Sequence, residues 1–189
     1  MISWRSFGLA LALGAALPGV AAAQSPFTFG LGGSLNVGDG STGTLGDGSL
    51  FSSWQGMGLL QIRPFSSRFG FQLDGTYQAF SPAGLVTRQQ FNGTANVLYE
   101  FGRTRTSKVV PYVIGGAGVY SFAGRGADGN AYHFGLNGGA GLNLRLFGPG
   151  SFFLESRFHN VFNAGLDTDG TGASARLIPI TAGFKFSGP

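Results

Sequence analysis

A carboxylate, a guanidinium and an imidazole lie close together in the sequence at Glu155, Arg157 and His159. A histidine beside a carboxylate can activate a nucleophile if a serine or cysteine lies within reach. The residues that follow, His159-Asn160-Val161-Phe162-Asn163, offer no hydroxyl group, and the chain contains no cysteine. The sequence therefore predicts no catalytic triad here, and we interpret His159 as a polar residue that pairs with Glu155 or Arg157.

Metal and cofactor chemistry finds little support elsewhere in the chain. The chain has only two histidines, and His133 has no carboxylate at a spacing that suits a shared metal ion. We therefore expect no transition-metal site. Acidic residues occur in glycine-rich stretches at Asp39, Asp47, Asp167 and Asp169. Such residues could hold calcium, but Gly-Asp also favours turns, which is the interpretation that we prefer.

Two Gly-Gly-Ala-Gly stretches, at 115–118 and 138–141, suggest nucleotide binding only superficially. Neither completes the Gly-x-Gly-x-x-Gly pattern and neither precedes a helical segment, so we expect no nucleotide cofactor. Glycine at these places is better explained by sharp strand curvature and close contact between strands.

Composition limits the class of protein. Charged residues make up only 11% of the 189 residues, aromatic residues make up 14%, and there are 35 glycines. Disorder requires low hydrophobicity and high net charge, which this chain lacks. Its basic residues are scattered rather than clustered in a stripe, so we expect no nucleic acid as a partner.

The first 23 residues resemble a secretory leader. Arg5 gives a positive start, Phe7–Leu17 is a short apolar run, and Ala21-Ala22-Ala23 is a small-residue cleavage signal. The apolar run is too short to span about 30 Å of hydrocarbon as a helix. We therefore predict a signal peptide over 1–23 and an exported domain over 24–189.

Alternation of apolar and polar residues dominates the exported part. In one segment, Phe69, Phe71 and Leu73 share one face while Gln72 and Asp74 share the other. Eight segments of about ten residues show this period of two, which is typical of a transmembrane β-barrel. The last of them is Arg176–Phe186. The sequence predicts an all-β fold, namely an eight-stranded antiparallel up-and-down transmembrane β-barrel.

The fifth segment is ambiguous because both of its faces are apolar or glycine. We predict that its large side chains face outward. In other segments, four apolar residues fall on faces that are otherwise polar. The outward set is Tyr112, Ile114, Tyr120 and Phe122, and the apolar exceptions are Met57, Leu59, Phe80 and Leu98.

Alternation alone does not show which face is inside, since a soluble lipocalin-like barrel has the same period. The polar faces carry too few charges for a solvated exterior, and their mixed signs would allow pairing inside a narrow lumen. We therefore predict a luminal polar network, with the apolar faces toward lipid. Its members are Arg63, Asp74, Glu100, Arg145, Glu155, Arg157 and Lys185.

The linkers alternate between long and short, as expected if the long ones are extracellular loops and the short ones periplasmic turns. On this interpretation both ends of the barrel chain lie in the periplasm.

The glycine-rich run Pro111–Tyr120, the Gly138–Asn143 stretch and the closing Ile178–Phe186 segment resemble the small outer-membrane barrel family that includes OmpA-like and OmpW-like barrels. The resemblance implies insertion into the outer membrane of a Gram-negative bacterium by its assembly machinery, which reads an aromatic-ended last strand. Some eight-stranded barrels are lipid A deacylases with an outward-facing Ser-His-Glu set whose serine lies two residues after the histidine. Position 161 is valine here.

The favoured hypothesis is a non-enzymatic outer-membrane barrel with a structural or surface-interaction role. Its expected partners are membrane lipid, lipopolysaccharide and the assembly machinery. The sequence does not determine the oligomeric state, and a monomer is favoured. Two alternatives remain: a narrow channel for small or hydrophobic solutes, and more remotely a lipid A-modifying enzyme.

Overall fold

The computed structural model describes residues 27–37, 54–64, 67–80, 88–102, 107–123, 130–146, 148–163 and 174–187. The predicted signal peptide over 1–23 lies outside these residues. So do most of the connections that were predicted to be extracellular loops.

Eight antiparallel strands form one closed barrel in which each strand pairs with its neighbours in the chain. The predicted eight-stranded antiparallel fold is confirmed. The strands are β1 (Phe27–Val37), β2 (Trp54–Ile62), β3 (Phe69–Phe80), β4 (Arg88–Glu100), β5 (Val109–Ala123), β6 (Asn130–Arg145), β7 (Gly150–Val161) and β8 (Ala175–Ser187).

The barrel closes where β8 pairs with β1. The register runs from Thr28 opposite Ser187 to Val37 opposite Ile178, so the pairing extends along almost the whole of β1. Closure leaves no strand edge unpaired, as a sheet within hydrocarbon requires. Within the described residues there is no helix that is long and apolar enough to span a membrane.

The two longest connections, β1–β2 with 16 residues and β7–β8 with 13, lie at the same end of the barrel, whereas β3–β4, β4–β5 and β5–β6 are similar in length, with 7, 8 and 6 residues. The connections β2–β3, β4–β5 and β6–β7, together with the start of β1 and the end of β8, define what we call the short-turn end. The connections β1–β2, β3–β4, β5–β6 and β7–β8 meet at the opposite end, which we call the long-loop end.

Side chains alternate between lumen and exterior along every strand, and the polarity is the reverse of that of a water-soluble protein. On β3, Phe71 is 57% exposed and Leu73 is 55% exposed, whereas the intervening Gln72 is 1% exposed. Among all described residues, buried polar and charged side chains outnumber buried apolar ones. The apolar faces therefore point outward, as predicted.

The predicted orientation of β5 was wrong. Tyr112, Ile114 and Tyr120 are buried in the lumen, whereas Val113 and Val119 face outward and are about half exposed. The side chain of Phe122 lies outside the described residues.

Glycines on the neighbouring strand explain this inward orientation. Tyr112 pairs with Gly141, and a Cβ built on Gly141 would lie 2.6 Å from the tyrosine hydroxyl oxygen. A Cβ on Gly135 would likewise lie 2.7 Å from the ring of Tyr120. Each glycine thus makes room for one large ring, which a period of two on a single strand does not reveal.

Adjacent glycines on β6 allow a direct test of this packing. A Cβ on the inward-facing Gly139 would overlap the carbonyl oxygen of Ser156 and lie 2.7 Å from the Cα of Arg157. A Cβ on the outward-facing Gly138 would have the Ile114 carbonyl oxygen, at 3.9 Å, as its nearest neighbour. We expect Gly139→Ala to lower the free energy of unfolding by about 1–3 kcal/mol through overpacking.

The matched control is Gly138→Ala, for which we expect little change. Urea unfolding of the two variants in lipid vesicles, followed by tryptophan fluorescence, measures the difference. Equal stability of the two variants would show that the inner wall at β6 is not tightly packed.

Candidate functional site

The centre of the lumen is spanned by Arg157, which reaches from β7 to the opposite wall. Its Nη1 donates to Oδ2 of Asp74 on β3 at 2.6 Å, and its Nε donates to Oε1 of Glu155 at 2.5 Å. The three side chains are at most 5% exposed. A single guanidinium therefore pairs with two buried carboxylates and links strands that are not neighbours in the sheet.

Asp74 accepts several further hydrogen bonds. Gln72 donates to its Oδ1 at 2.8 Å, while Asn96 and Thr94 donate to Oδ2 at 2.8 Å and 3.3 Å. A buried carboxylate is tolerated only when its oxygens are satisfied in this way. These amide and hydroxyl groups therefore complete the solvation of Asp74 that water would otherwise supply.

Lys185 lies beside this group without a hydrogen bond to it. Its Nζ is 5.0 Å from the centre of the Tyr112 ring and 4.7 Å from the centre of the Phe153 ring, and the residue is 2% exposed. Both distances are within the range of cation–π attraction. The Tyr112 hydroxyl in turn donates to Oε2 of Glu155 at 2.8 Å, which connects the lysine to the Arg157 group through one ring.

A second ion pair lies nearer the short-turn end. Arg63, just after β2, contacts Glu100 at the end of β4 through both of its terminal nitrogens, with Nη2 to Oε1 at 2.6 Å. Asn143 on β6 donates to the same Oε1 at 3.1 Å. The bidentate geometry is the one that favours arginine over lysine for pairing with a carboxylate.

Six of the seven predicted luminal residues thus fall into two groups. Asp74, Glu155 and Arg157 are joined directly, with Lys185 next to them, while Arg63 and Glu100 form a separate pair. These six residues carry three positive and three negative charges. Arg145 lies at the short-turn end of β6, where its backbone N–H donates to the carbonyl of Lys108 at 2.8 Å.

Apolar side chains fill much of the remaining lumen. Met57 and Leu59 pack against Phe153, and Leu98 packs against Tyr112 and Ile114. Met57, Leu59 and Leu98, which were noted in the sequence as apolar exceptions on polar faces, are members of these luminal clusters, and Met57 also borders the cavity described next. The side chain of Phe80 lies outside the described residues.

A small cavity remains on the long-loop side of the Arg157 group. Its volume is about 30 Å³, which is room for about two water molecules. Most of the residues around it are polar, and neighbouring side chains hydrogen-bond to one another: Ser34 with Thr181 at 2.6 Å, and Asn36 with Gln55 and with Gln78 at 3.0 Å each.

His159 also borders this cavity, and its partner differs from the prediction. Its Nδ1 lies 2.7 Å from the hydroxyl oxygen of Tyr120, rather than bonding to Glu155 or Arg157. The sequence could not show this pairing because Tyr120 was expected to face lipid. Across the described parts of the chain, no three histidine or acidic side chains come close enough together to hold a metal ion.

The barrel fold is shared with solved outer-membrane proteins. No protein-family model and no curated protein matches this sequence. Among solved structures, Neisserial surface protein A matches with a TM-score of 0.64 at 15% identity, covering 88% of this chain and 99% of that protein. The fold is that of a small outer-membrane β-barrel.

Two further small outer-membrane barrels match less closely. The N-terminal barrel domain of Pseudomonas aeruginosa OprF has a TM-score of 0.53 at 16% identity, covering 87% of this chain and 98% of that domain. The outer membrane enzyme PagL also has a TM-score of 0.53 at 16% identity, covering 83% of this chain and 98% of that enzyme. At such low identity the likeness is one of architecture.

Removing the shared guanidinium tests the energetic role of the Arg157 group. Arg157→Ala would leave the buried Asp74 and Glu155 without their hydrogen-bonded counter-charge, with only Lys185 nearby, and breaking a buried pair in this way costs about 3–5 kcal/mol. We expect a loss of that size in unfolding experiments in lipid vesicles. Exposed Arg176 is the matched control, since its replacement by alanine should change stability by less than about 0.5 kcal/mol. Similar small losses in both variants would contradict the role assigned to Arg157.

Proposed function

We propose that this protein is a monomeric, non-enzymatic barrel of the Gram-negative outer membrane with a structural or surface-interaction role. The observation that carries the proposal is the reversed polarity of the barrel: large apolar side chains cover the exterior, and charged groups fill the interior. Hydrocarbon is the solvent that stabilises such an exterior, because water would leave this apolar surface unfavourably hydrated.

The packed lumen supports a structural role rather than transport. Among the described residues, the Arg157 group, the Arg63–Glu100 pair and the two apolar clusters occupy the interior, and the cavity beside the Arg157 group has a volume of only about 30 Å³. An eight-stranded barrel is just wide enough to be filled by side chains. A narrow solute channel is therefore the second candidate and not the first.

The position of His159 supports a non-enzymatic function. The outer membrane enzyme PagL shows that this architecture can carry catalysis. Here the histidine next to Glu155 and Arg157 bonds to the hydroxyl of Tyr120 at the luminal cavity, away from the lipid-facing surface. A catalytic group acting on membrane lipid would have to face the lipid.

We infer that the protein is exported and that its short-turn end faces the periplasm, from the leader sequence and from the positions of the start of β1 and the end of β8. The leader over 1–23 would be removed on export, and the assembly machinery would recognise the aromatic closing strand β8. The start of β1 and the end of β8 lie at the short-turn end, which we assign to the periplasm. The long loops would then face outward, toward lipopolysaccharide and surface partners.

Cell fractionation tests the location. We expect the protein in the outer-membrane fraction, with faster gel mobility in unheated samples than in boiled ones, because a closed barrel resists detergent until heated. A small soluble periplasmic protein of the same strain serves as the fractionation control. Recovery in the soluble periplasmic fraction with no heat-dependent mobility would refute the proposal.

Planar-bilayer recording separates the structural role from the channel. We expect no reproducible conductance steps from the wild-type protein, since the ion pairs and apolar clusters close the lumen. Glu100→Ala is the informative variant because Glu100 holds Arg63 and Asn143 inside the lumen. Wild-type steps that Glu100→Ala alters or abolishes would favour the channel.

A further inference from the structure

Acidic and basic residues of the strand connections are distributed unequally between the two ends of the barrel. By sequence, the connections at the long-loop end contain five acidic residues and one basic residue, Arg125. Those at the short-turn end contain five basic residues and no acidic one. The acidic set is Asp39, Asp47, Asp128, Asp167 and Asp169, and the basic set is Arg63, Arg68, Arg103, Arg105 and Lys108.

Two of these basic side chains are described and lie exposed at the short-turn end: Arg68 and Lys108. Arg63 is taken up by Glu100 inside the barrel. The three acidic residues of the described ranges, Asp74, Glu100 and Glu155, are all buried in the lumen. No carboxylate among the described residues is therefore available at this rim to neutralise Arg68 or Lys108.

Arg68 lies next to a cluster of aromatic rings on the outer wall of the barrel. Tyr99 on β4 packs against Phe69 on the adjacent β3 at 4.9 Å and against Phe101, just after β4, at 5.0 Å between ring centres. Nη1 of Arg68 lies 3.4 Å from the Tyr99 hydroxyl oxygen. Aromatic clusters of this kind lie at the level of lipid headgroups, and arginine extends toward the polar side of that level.

We propose that this aromatic–basic rim, made of Arg68, Phe69, Tyr99 and Phe101, binds the phosphate groups of anionic phospholipids around the short-turn end, with Lys108, exposed at the same end, as a second cation. The rings contact the upper acyl chains and glycerol region, while the guanidinium and the ammonium pair with phosphates. Phosphatidylglycerol is the matching class, because it carries a net negative charge that zwitterionic lipids lack. This inference rests on the proposed membrane location.

Native mass spectrometry of the full chain, refolded into nanodiscs of equal phosphatidylcholine and phosphatidylglycerol, tests the rim. We expect the retained lipid to be enriched in phosphatidylglycerol. A basic side chain near an anionic surface contributes up to about a fivefold change in binding. Arg68→Gln and Lys108→Gln should each lower the retained ratio of anionic to zwitterionic lipid by up to about that factor. Tyr99→Phe, which keeps the ring and removes the hydroxyl, should lower it less than Arg68→Gln.

Arg176→Gln is the matched control. It removes one exposed positive charge at the long-loop end, where the preceding connection contains Asp167 and Asp169, so the lipid ratio should stay near that of wild type. Heat-dependent gel mobility is measured on every sample, which separates failure of this inference from failure of the proposed function.

Three outcomes in a heat-modifiable barrel would overturn the inference. The first is the absence of phosphatidylglycerol enrichment, and the second is an equal loss in all three charge variants. The third is retention of a soluble polyanion such as heparin without lipid preference, which would assign the rim to a polymer instead.

Discussion

Closure of the hydrogen-bonded ladder between β1 and β8 is the constraint on which the rest of the molecule depends. In hydrocarbon an unpaired backbone amide or carbonyl has no water to bond to, so an open sheet edge would be costly along its whole length. Pairing from Thr28 to Val37 removes that edge. It also fixes the circumference, and with it how little space remains inside.

A narrow interior surrounded by an apolar exterior makes the charge pairing obligatory. Any charged residue on an inward position is buried, so it must find its partner across a short distance within the lumen. Arg157 does so by bonding to carboxylates on its own strand and on β3, and Arg63 by a bidentate contact with Glu100. The glycines that face Tyr112 and Tyr120 serve the same constraint, because two large rings fit only where the facing wall has no side chain.

The sequence was informative wherever the two faces of a strand differ in polarity. On β3 the alternation of Phe71, Gln72, Leu73 and Asp74 fixed both the strand and its orientation. On β5, apolar residues and glycine occur on both faces, so the alternation of polarity did not show which face points into the lumen. The orientation depends on glycines of the neighbouring strand β6. The bonds of Tyr112 to Glu155 and of Tyr120 to His159 were missed for the same reason, since both tyrosines were placed outside. Pairings such as Arg157 with Asp74, 83 residues apart, depend on the three-dimensional register and are not visible in spacing.

The luminal contacts of β8 make completion of the barrel cooperative. Thr181 bonds to Ser34 on β1, and Lys185 lies between rings contributed by β5 and β7. A sheet of the first seven strands alone would lack the lysine that offsets the excess negative charge of Asp74 and Glu155 over Arg157, and would leave Glu155 on an edge strand. The last strand therefore contributes counter-charge as well as backbone pairing, so the strand that seals the wall also completes the neutral interior.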